Sequence, residues 1–390
     1  MKINTLLYLF LLTAFVISCL SDKHNKYSLA YIDTEKSYPE KVIFLTDIAD
    51  ITYLYLNSDD DDYLYSNVNI KYLTRNTVVV YSQASGDVLF FSKDGIPKSR
   101  FNHRGNGPEE YIGAMKVIYD EEADDVFVIQ PKIIMVYSSV GEYKRKIAFS
   151  QAAMVGSIIS FDDHSLLLYD ARKRLVTEEK DMLTNSYEFS FVRISKIDGK
   201  VLDYVEIPDN TEIILKDVTT GIPGKVSRLI TCKDGVLLCN PETDTVFLYS
   251  KGKSLTPIIH KTPSVSSTDP MVYLNNCVDV DSYQFFEIFT VRLEQGAFPF
   301  PVKYFLKDKK TGEIFRQKII LPDYKEKDFF ISPSETGLSY DDANIPCIEL
   351  NLIELKQAYH ENKLSGKLKE LVATLNEDED NNVFMLVNFK

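Results

Sequence analysis

One hairpin pattern appears five times along this chain. Each copy has two or more apolar residues ending near an aromatic residue, a polar turn that contains glycine, and a second strand. The copies read DVLFFSKDGIPKSRF, IIMVYSSVGEYKRKIAF, SFVRISKIDGKVLDYVEI, TVFLYSKGKSLTPII and VKYFLKDKKTGEIFRQKII. Their turn glycines are Gly95, Gly141, Gly199, Gly252 and Gly312, at spacings of 46, 58, 53 and 60 residues. Glycine at this point allows the positive φ that a tight hairpin needs.

A second hairpin precedes each of these copies. The five preceding hairpins read VNIKYLTRNTVVVYSQ, MKVIYDEEADDVFVIQ, SIISFDDHSLLLYDA, SRLITCKDGVLLCNP and VYLNNCVDVDSYQFFEIF. Each unit therefore predicts four successive antiparallel strands. Units of roughly 40 to 60 residues with four strands each are typical of β-propeller blades, which close into a ring and so protect their edges.

The two ends of the chain supply a further blade. Five blades are predicted over residues 67–321, and strand-like segments remain at 41–56 and 382–389. Joining these two segments closes the ring with a sixth blade. Residues 348–375 are predicted to be helical, because their leucines recur near helical spacing. We therefore predict an all-β fold over residues 41–390: a six-bladed β-propeller of four-stranded antiparallel blades, with a short helical insertion near the C-terminus.

The N-terminus predicts export and lipid attachment. Lys2 precedes an apolar run of about a dozen residues, too short to span a membrane, and the pattern Val16-Ile17-Ser18-Cys19 follows. This ending resembles the lipobox of bacterial lipoproteins, which implies a signal peptide over residues 1–18 and a lipid on Cys19. The alternative is an ordinary signal peptide with a chance cysteine. Residues 19–40 are polar and predict a tether, so the expected location is the cell envelope, on the periplasmic or the cell-surface side.

Three further segments carry a resemblance to a family. RGNGPEEY after the first blade, the strand DVFVIQ and the C-terminal LNEDEDNNVFMLVNFK resemble the six-bladed β-propeller lipoproteins, related to NHL-type propellers, of Gram-negative gut-type bacteria. That family has a G-x-G-P-x-E-Y loop here, matched by Gly105, Gly107, Pro108, Glu110 and Tyr111. Its frequent Asn-Pro pair is replaced by Asn381-Asn382. The resemblance implies the fold and the outer-membrane or envelope location, but no known reaction.

Charge and cysteine content restrict the functions further. The net charge of -13 argues against nucleic-acid binding. In LITCKDGVLLCN, a turn at Asp234-Gly235 would pair Cys232 with Leu237 and leave Cys239 diagonal, at about 7 to 8 Å. This is too far for a disulfide, so buried thiols are predicted at the four cysteines beyond Cys19, namely Cys232, Cys239, Cys277 and Cys347.

Familiar cofactor and metal motifs are incomplete. Gly105-Asn106-Gly107 starts like a dinucleotide loop, but Glu110 occupies the place of the third glycine. The five histidines have no metal-ligand spacing, and the acidic run Asp59 to Asp62 meets Tyr63 where a calcium ligand is needed. The sequence therefore predicts no cofactor and no metal.

The predicted strand order places the longer connections on one face. Connections between the second and third strands, and from blade to blade, share this loop-rich face. They include residues 102–113, 171–186, 208–225, 261–270, 290–300 and 322–345. Loops on a rigid scaffold often carry function. The candidate ligand-binding residues are His103, Arg104, Glu109, Glu110 and Tyr111, followed by the basic cluster Arg172, Lys173 and Arg174. The alternative interpretations are a corner that the fold needs and a solvated basic loop.

Two classes of function are compatible with these features. The first is a non-enzymatic lipoprotein, attached to the membrane through Cys19, that binds a peptide, a glycan or another envelope protein through its loop-rich face. The second is a propeller enzyme, a lactonase, lyase or glycosidase, with its site at the channel mouth. Paired carboxylates about 5 to 10 Å apart, or three converging metal ligands, would favour the enzyme. A purely structural role in an envelope assembly is a third possibility, favoured by a flat, apolar face.

Overall fold

Six β-sheets form the protein, in the arrangement predicted from the sequence. The computed structural model describes residues 28–58, 61–63, 65, 68–149, 155–170, 189–207, 227–240, 243–291, 300–333, 346–376 and 380–390. The strands, in chain order, are β1 Ala30–Asp33, β2 Glu40–Phe44, β3 Ala49–Tyr55, β4 Val68–Leu73, β5 Thr77–Ser82, β6 Val88–Ser92, β7 Pro97–Phe101, β8 Lys116–Asp120, β9 Asp125–Ile129, β10 Ile133–Tyr137, β11 Tyr143–Ala148, β12 Val155–Asp162, β13 Ser165–Asp170, β14 Phe191–Ser195, β15 Val201–Val205, β16 Leu229–Cys232, β17 Gly235–Asn240, β18 Thr245–Ser250, β19 Leu255–Thr262, β20 Met271–Asp279, β21 Tyr283–Val291, β22 Val302–Asp308, β23 Ile314–Ile320, β24 Cys347–Leu350 and β25 Val383–Phe389. The helices are α1 Leu45–Ile48, α2 Leu352–His360 and α3 Gly366–Thr374.

The sheets are the blades of a six-bladed β-propeller. Blades 1 to 5 begin at β4, β8, β12, β16 and β20, and each contains four successive antiparallel strands. The first strands of neighbouring blades contact each other, from β4 to β8 and onward to β20. These first strands are therefore innermost and surround the central channel. The predicted fold class is confirmed.

Burial follows the position of each strand within its blade. The second strands β5, β9, β13 and β17 are buried at every residue. Neighbouring blades cover both faces of these strands, so their sequences are continuous apolar runs. The outer strands β7 and β11 alternate between buried or partly buried and exposed residues, since one of their faces meets solvent.

Two N-terminal strands add a fifth strand to two blades. β1 pairs in parallel with β19, and β2 pairs in parallel with β23. Ile32 is fully buried at the first of these contacts. The predicted tether over residues 19–40 is therefore wrong at its C-terminal end, because burial of Ala30 and Ile32 anchors residues 30–33 to blade 4. The propeller begins before the predicted boundary at residue 41.

The closing sheet contains strands from both ends of the chain. Its order is β24-β25-β3, and the register places Val383 opposite Tyr55 and Phe389 opposite Ala49. The predicted N-terminal contribution, residues 41–56, is divided: residues 40–44 join blade 5, and residues 49–55 join the closing sheet. The short helix α1 separates the two strands and allows the chain to change sheets.

Two helices lie between β24 and β25. The helical segment begins at Leu352, because residues 348–350 belong to β24, so the predicted helix over 348–375 is wrong at its start. The Asn351 side chain caps α2 by accepting the Glu354 N–H at 3.1 Å. Leu355, Leu368 and Val372 are fully buried against blade 5 and the closing sheet. No helix in the described residues has the length and apolar character to cross a membrane.

The outer hairpin turns fit the glycine pattern with one exception. Gly95 has φ +78°, and a Cβ there would lie 1.8 Å from the Tyr55 carbonyl oxygen, so both conformation and space require glycine. Gly252 does not take a positive φ; in its turn Lys253 does, with φ +64°.

The cysteine hairpin has a different register from the predicted one. The turn lies at residues 233–234, so Cys232 pairs with Gly235 and Leu237 pairs with Ile230. The predicted pair of Cys232 with Leu237 is wrong because the turn is one residue earlier. The four cysteines in the described residues are buried free thiols: Cys232, Cys239, Cys277 and Cys347.

Candidate functional site

The predicted candidate loop forms a corner that closes on itself. It leaves β7 and enters β8, and Arg104 forms a parallel bridge with Tyr111. The Tyr111 N–H donates to the His103 carbonyl at 3.0 Å, and the Gly105 N–H donates to the Tyr111 carbonyl at 3.0 Å. The loop therefore has an internal backbone ladder that fixes its shape without a ligand.

Tyr111 joins this corner to blade 1. Its side chain is fully buried, and its hydroxyl donates to the Gly86 carbonyl at 2.6 Å. The same hydroxyl accepts the His103 N–H at 3.2 Å. Burial raises the pKa of Tyr111 above its ordinary value, so the phenol stays neutral. These contacts make Tyr111 a packing residue.

His103 joins the corner to blade 2. Its Nε2 lies 2.7 Å from the Gly141 carbonyl oxygen. A carbonyl can only accept a hydrogen bond, so Nε2 carries the proton. The imidazole stacks on Tyr137 with ring centroids 5.0 Å apart. The Tyr137 hydroxyl in turn donates to the Glu109 carbonyl at 2.7 Å. The His103 side chain therefore joins the two blades in two ways, through the hydrogen bond of Nε2 and through the stacking of its ring.

The charged residues of the loop differ in their surroundings. The Arg104 Nη1 donates to the carbonyls of Gln83 and Ala84, at 3.4 and 3.0 Å. The Glu110 Oε2 accepts the Gly107 N–H at 2.7 Å. Glu109 is exposed, and its carboxylate makes no hydrogen bond or ion pair within the described part of the chain. Arg104 and Glu110 are exposed as well, so what distinguishes Glu109 from the other candidates of this loop is that lack of a side-chain contact.

The remaining sequence candidates lie outside the described residues. These are Arg172, Lys173 and Arg174 of the basic cluster, and Cys19. Their proposed roles stay predictions.

A buried polar network that the sequence reasoning missed joins blade 5 to blade 4, through side chains on β20 and β21 and the chain that enters β16. The Asn275 Nδ2 donates to the Glu287 Oε1 at 2.5 Å, and the Ser332 hydroxyl donates to the other Glu287 oxygen. The Asn276 Nδ2 donates to the carbonyls of Ser227 and Leu237, at 3.0 and 2.9 Å. The two asparagines are fully buried. The signal in the sequence was the pair Asn275-Asn276 in the middle of an apolar strand, where the structure has a β-bulge.

This network holds several elements together around one buried carboxylate, that of Glu287. Glu287 lies on β21, and the Ser227 hydroxyl donates to the Pro333 carbonyl at 2.9 Å. The network thus ties the chain that enters blade 4 and the chain that leaves blade 5 to β20 and β21. Arg228, beside Ser227, lies over the Tyr169 ring at 5.0 Å and joins blade 4 to blade 3.

Within the described ranges, no group of three or more His, Cys, Asp or Glu side chains could hold a metal ion. Asp59 and Asp60 of the acidic run lie outside those ranges.

Comparison with known proteins supports the fold. The model of family DUF5128, described as a 6-bladed beta-propeller, matches residues 21–204, which end in blade 3. A comparison with curated proteins finds no match. A crystal structure of a Bacteroides fragilis protein described as an exported protein has a TM-score of 0.63 and 16% identity, and the match covers 93% of this chain and 100% of that one. This likeness concerns the fold alone.

Two further solved structures have lower similarity. A member of the DUF4221 family from Bacteroides vulgatus has a TM-score of 0.43 and 11% identity, covering 88% of this chain and 97% of that one. Virginiamycin B lyase from Staphylococcus aureus has a TM-score of 0.38 and 12% identity, covering 70% and 75%.

Proposed function

We propose that this protein is an exported, lipid-anchored β-propeller of the NHL-like lipoprotein type, which binds a peptide, a glycan or an envelope protein through its loop-rich face. The observation that carries the proposal is the unequal length of the connections. At one end of β8 the hairpin to β9 has four residues, 121–124, whereas opposite-end connections include 171–190 and 206–228. A rigid ring that concentrates long connections on one face is suited to recognition.

Export and anchoring have separate support. The apolar run, the lipobox-like ending at Cys19 and the exported description of the Bacteroides fragilis neighbour agree with an extracytoplasmic location. We expect labelled palmitate to enter the full chain and not the Cys19→Ala variant expressed at the same level. Equal labelling of both would contradict a lipid on Cys19.

The binding face is tested with a matched pair of cysteine variants at the two ends of β8. Met115, 45% exposed, precedes β8 at the loop-rich end, and exposed Glu122 lies in the hairpin at the other end. Met115→Cys and Glu122→Cys are made in the Cys19→Ser chain and coupled to a bulky maleimide. The native thiols in the described residues are buried, and burial raises the pKa of Cys232 to about 12, so they stay unmodified.

Binding is then measured on glycan and peptide arrays. We expect the unmodified chain to bind a set of probes, the adduct at Met115→Cys to lose that binding, and the adduct at Glu122→Cys to keep it. Absence of any bound probe, or loss of binding in the Glu122→Cys adduct alone, would contradict the proposal.

A further inference from the structure

A cleft opens between two outer strands of blade 5. The ladder of β22 with β23 has three residue pairs and ends at Phe305 opposite Arg316. Beyond this pair, Phe329 of the chain that leaves blade 5 forms an antiparallel bridge with Ile319 of β23. Because β2 occupies the other edge of β23, Phe329 lies on the side of β22. The cleft left between these segments has a volume of about 430 Å³, within the roughly 300 to 1,000 Å³ of small-ligand sites.

Gln317 fixes the walls of this cleft. Its side chain is 6% exposed, and its Nε2 donates to the carbonyls of Phe305 and Ile331, at 2.8 and 3.1 Å. Its Oε1 accepts the Ile331 N–H at 3.1 Å. One buried amide thus uses both of its donor hydrogens and its acceptor to join β22 to the chain that leaves blade 5. The cleft is therefore formed by the protein's own bonds before a ligand arrives.

Two aromatic rings form a flat part of the lining. The rings of Tyr304 and Phe330 stack with centroids 4.0 Å apart and planes inclined by 15°. Both side chains are partly exposed and line the cleft. The face of an aromatic ring carries partial negative charge, so it attracts the weakly positive C–H groups of a ligand ring. This surface is suited to a flat ligand with C–H groups on one side.

Cations surround the same cleft in excess over carboxylates. The charged lining residues are Lys303, Arg316, Lys318, Glu40 and Asp328. Arg316 Nη2 lies 3.8 Å from one Glu40 oxygen, and Lys318 Nζ lies 3.5 Å from the other. Both distances exceed the 2.7 to 2.9 Å that is about normal for a charge-assisted hydrogen bond. Three cations against two carboxylates leave one positive charge in excess, although the chain as a whole has a net charge of -13.

These features together restrict the chemistry of the ligand. Weakly paired cations beside a flat apolar surface fit a ring that carries a carboxylate, which the planar guanidinium of Arg316 can bind with two hydrogen bonds. An extended peptide is recognised largely through main-chain hydrogen bonds to a strand edge. Here the Gln317 amide already occupies main-chain groups of the cleft walls. Stacking and charge therefore remain as the means of recognition, and an acidic sugar ring supplies both.

We propose that this cleft binds the uronic-acid unit of an acidic saccharide. The sugar ring packs against Tyr304 and Phe330, and its carboxylate pairs with Arg316 and Lys318. The inference goes beyond the proposed function, because the cleft lies among the outer strands of blade 5 and needs neither the mouth of the central channel nor a lipid on Cys19.

Calorimetric titration of the Cys19→Ser chain tests the ligand class. The probes are trimers of glucuronate, galacturonate and mannuronate, each compared with the neutral trimer of the corresponding hexose. At least one acidic trimer is expected to bind roughly tenfold more tightly than its neutral counterpart, and its affinity should fall as salt is added. Absence of binding by every acidic trimer, or equal affinity for the neutral counterpart, overturns the proposal.

Substitutions of the charged lining test the geometry. Arg316→Gln is expected to weaken binding of the acidic trimer roughly tenfold. Lys310→Gln is the control and should leave binding unchanged, because exposed Lys310 lies in the turn at the other end of β22 and β23. Unchanged binding in Arg316→Gln, or an equal loss in Lys310→Gln, overturns the proposal.

Glu40→Gln gives a change of the opposite sign. It removes the carboxylate that competes with the ligand for Arg316 and Lys318, so the acidic trimer should bind several-fold more tightly. A misfolded variant, or a Glu40 side chain with a structural role alone, would not gain affinity. Unchanged or weaker binding in Glu40→Gln overturns the proposal.

Two further arms separate this cleft from other sites and ligands. Tri-glutamate carries three side-chain carboxylates without a sugar ring, and binding as tight as that of the acidic trimer would overturn the saccharide class. The Met115→Cys adduct is in blade 2 and should leave trimer binding unchanged. Loss of trimer binding in that adduct would place the saccharide on the loop-rich face, which overturns this inference and leaves the proposed function standing.

Discussion

At the scale of single residues, the side chain of Glu110 determines which residues the corner loop accepts. Its carboxylate bends back under the loop and accepts the Gly107 N–H at 2.7 Å. A Cβ at position 105 would lie 2.0 Å from Glu110 Oε2. Gly105 and Gly107 do not have positive φ, so the need for glycine at 105 comes from space and not from backbone conformation. Gly105 therefore leaves room for the folded-back Glu110 side chain, and Gly107 supplies the N–H that this side chain accepts.

This interpretation predicts non-additive effects of two substitutions. Glu110→Ala removes the bond to the Gly107 N–H and is expected to lower the free energy of unfolding by about 1 kcal/mol. Gly105→Ala forces the same carboxylate away and should lower the free energy of unfolding by about the same amount. Because both changes remove one interaction, Gly105→Ala should have almost no further effect in the Glu110→Ala background, as measured by denaturant unfolding of the four chains.

Gly113→Ala is the matched control for this cycle. A Cβ there would meet only the Tyr81 hydroxyl, at 3.8 Å, an ordinary contact. Its effect on stability should be neutral or slightly favourable. Additive costs for Gly105→Ala and Glu110→Ala would mean that the alanine at position 105 disturbs the loop in some way other than through Glu110.

The candidate residues show what a sequence can indicate about a site. The pattern of glycine, proline and glutamate indicated a blade-to-blade corner, and the structure has one. It could not indicate that His103 and Tyr111 direct their polar groups to Gly141 and Gly86, because these partners are 38 and 25 residues away in the chain.

At the scale of elements, the strands that two blades enclose were the easiest to predict. β5 and β9 are continuous apolar runs because both faces are covered. β1 and β2 were harder, since four or five residues that join a sheet edge in parallel leave a short pattern with one buried side. In β1 the buried residues are Ala30 and Ile32, alternating with exposed Tyr31 and Asp33.

The predicted start of the helical segment was wrong because a strand pattern and a helix pattern overlap there. Ile348 and Leu350 fit the helical spacing of the residues that follow, yet they pair with Met385 and Val383 in the closing sheet. Asn351 separates the two elements, because its side chain caps α2. Pairing with a strand more than thirty residues away decided the conformation over local spacing.

At the scale of the whole molecule, the stability of the ring depends on contacts between the two ends of the chain. β25 pairs with β3 along its whole length. In addition, Asn381 is 2% exposed and its Nδ2 donates to the carbonyls of Leu56 and Tyr63, at 2.9 and 3.1 Å. Its Oδ1 accepts the Tyr65 N–H at 3.1 Å. This one side chain fixes the segment that leads from the closing sheet into blade 1.

Asn381→Ala should therefore weaken the closure of the ring. The substitution leaves three backbone groups of the N-terminal segment without their partner, and we expect a loss of about 2 to 4 kcal/mol in the free energy of unfolding.

Asn388→Ala is the control, because Asn388 lies in β25, the strand that follows Asn381, and its side chain makes no hydrogen bond with the described residues. Thermal unfolding should show a midpoint several degrees lower for Asn381→Ala and little change for Asn388→Ala. Limited proteolysis should cut first near residues 56–65 in Asn381→Ala, because the hydrogen bonds that are lost hold this segment to the C-terminal end of the chain. Equal midpoints for the two variants would mean that strand pairing alone closes the ring.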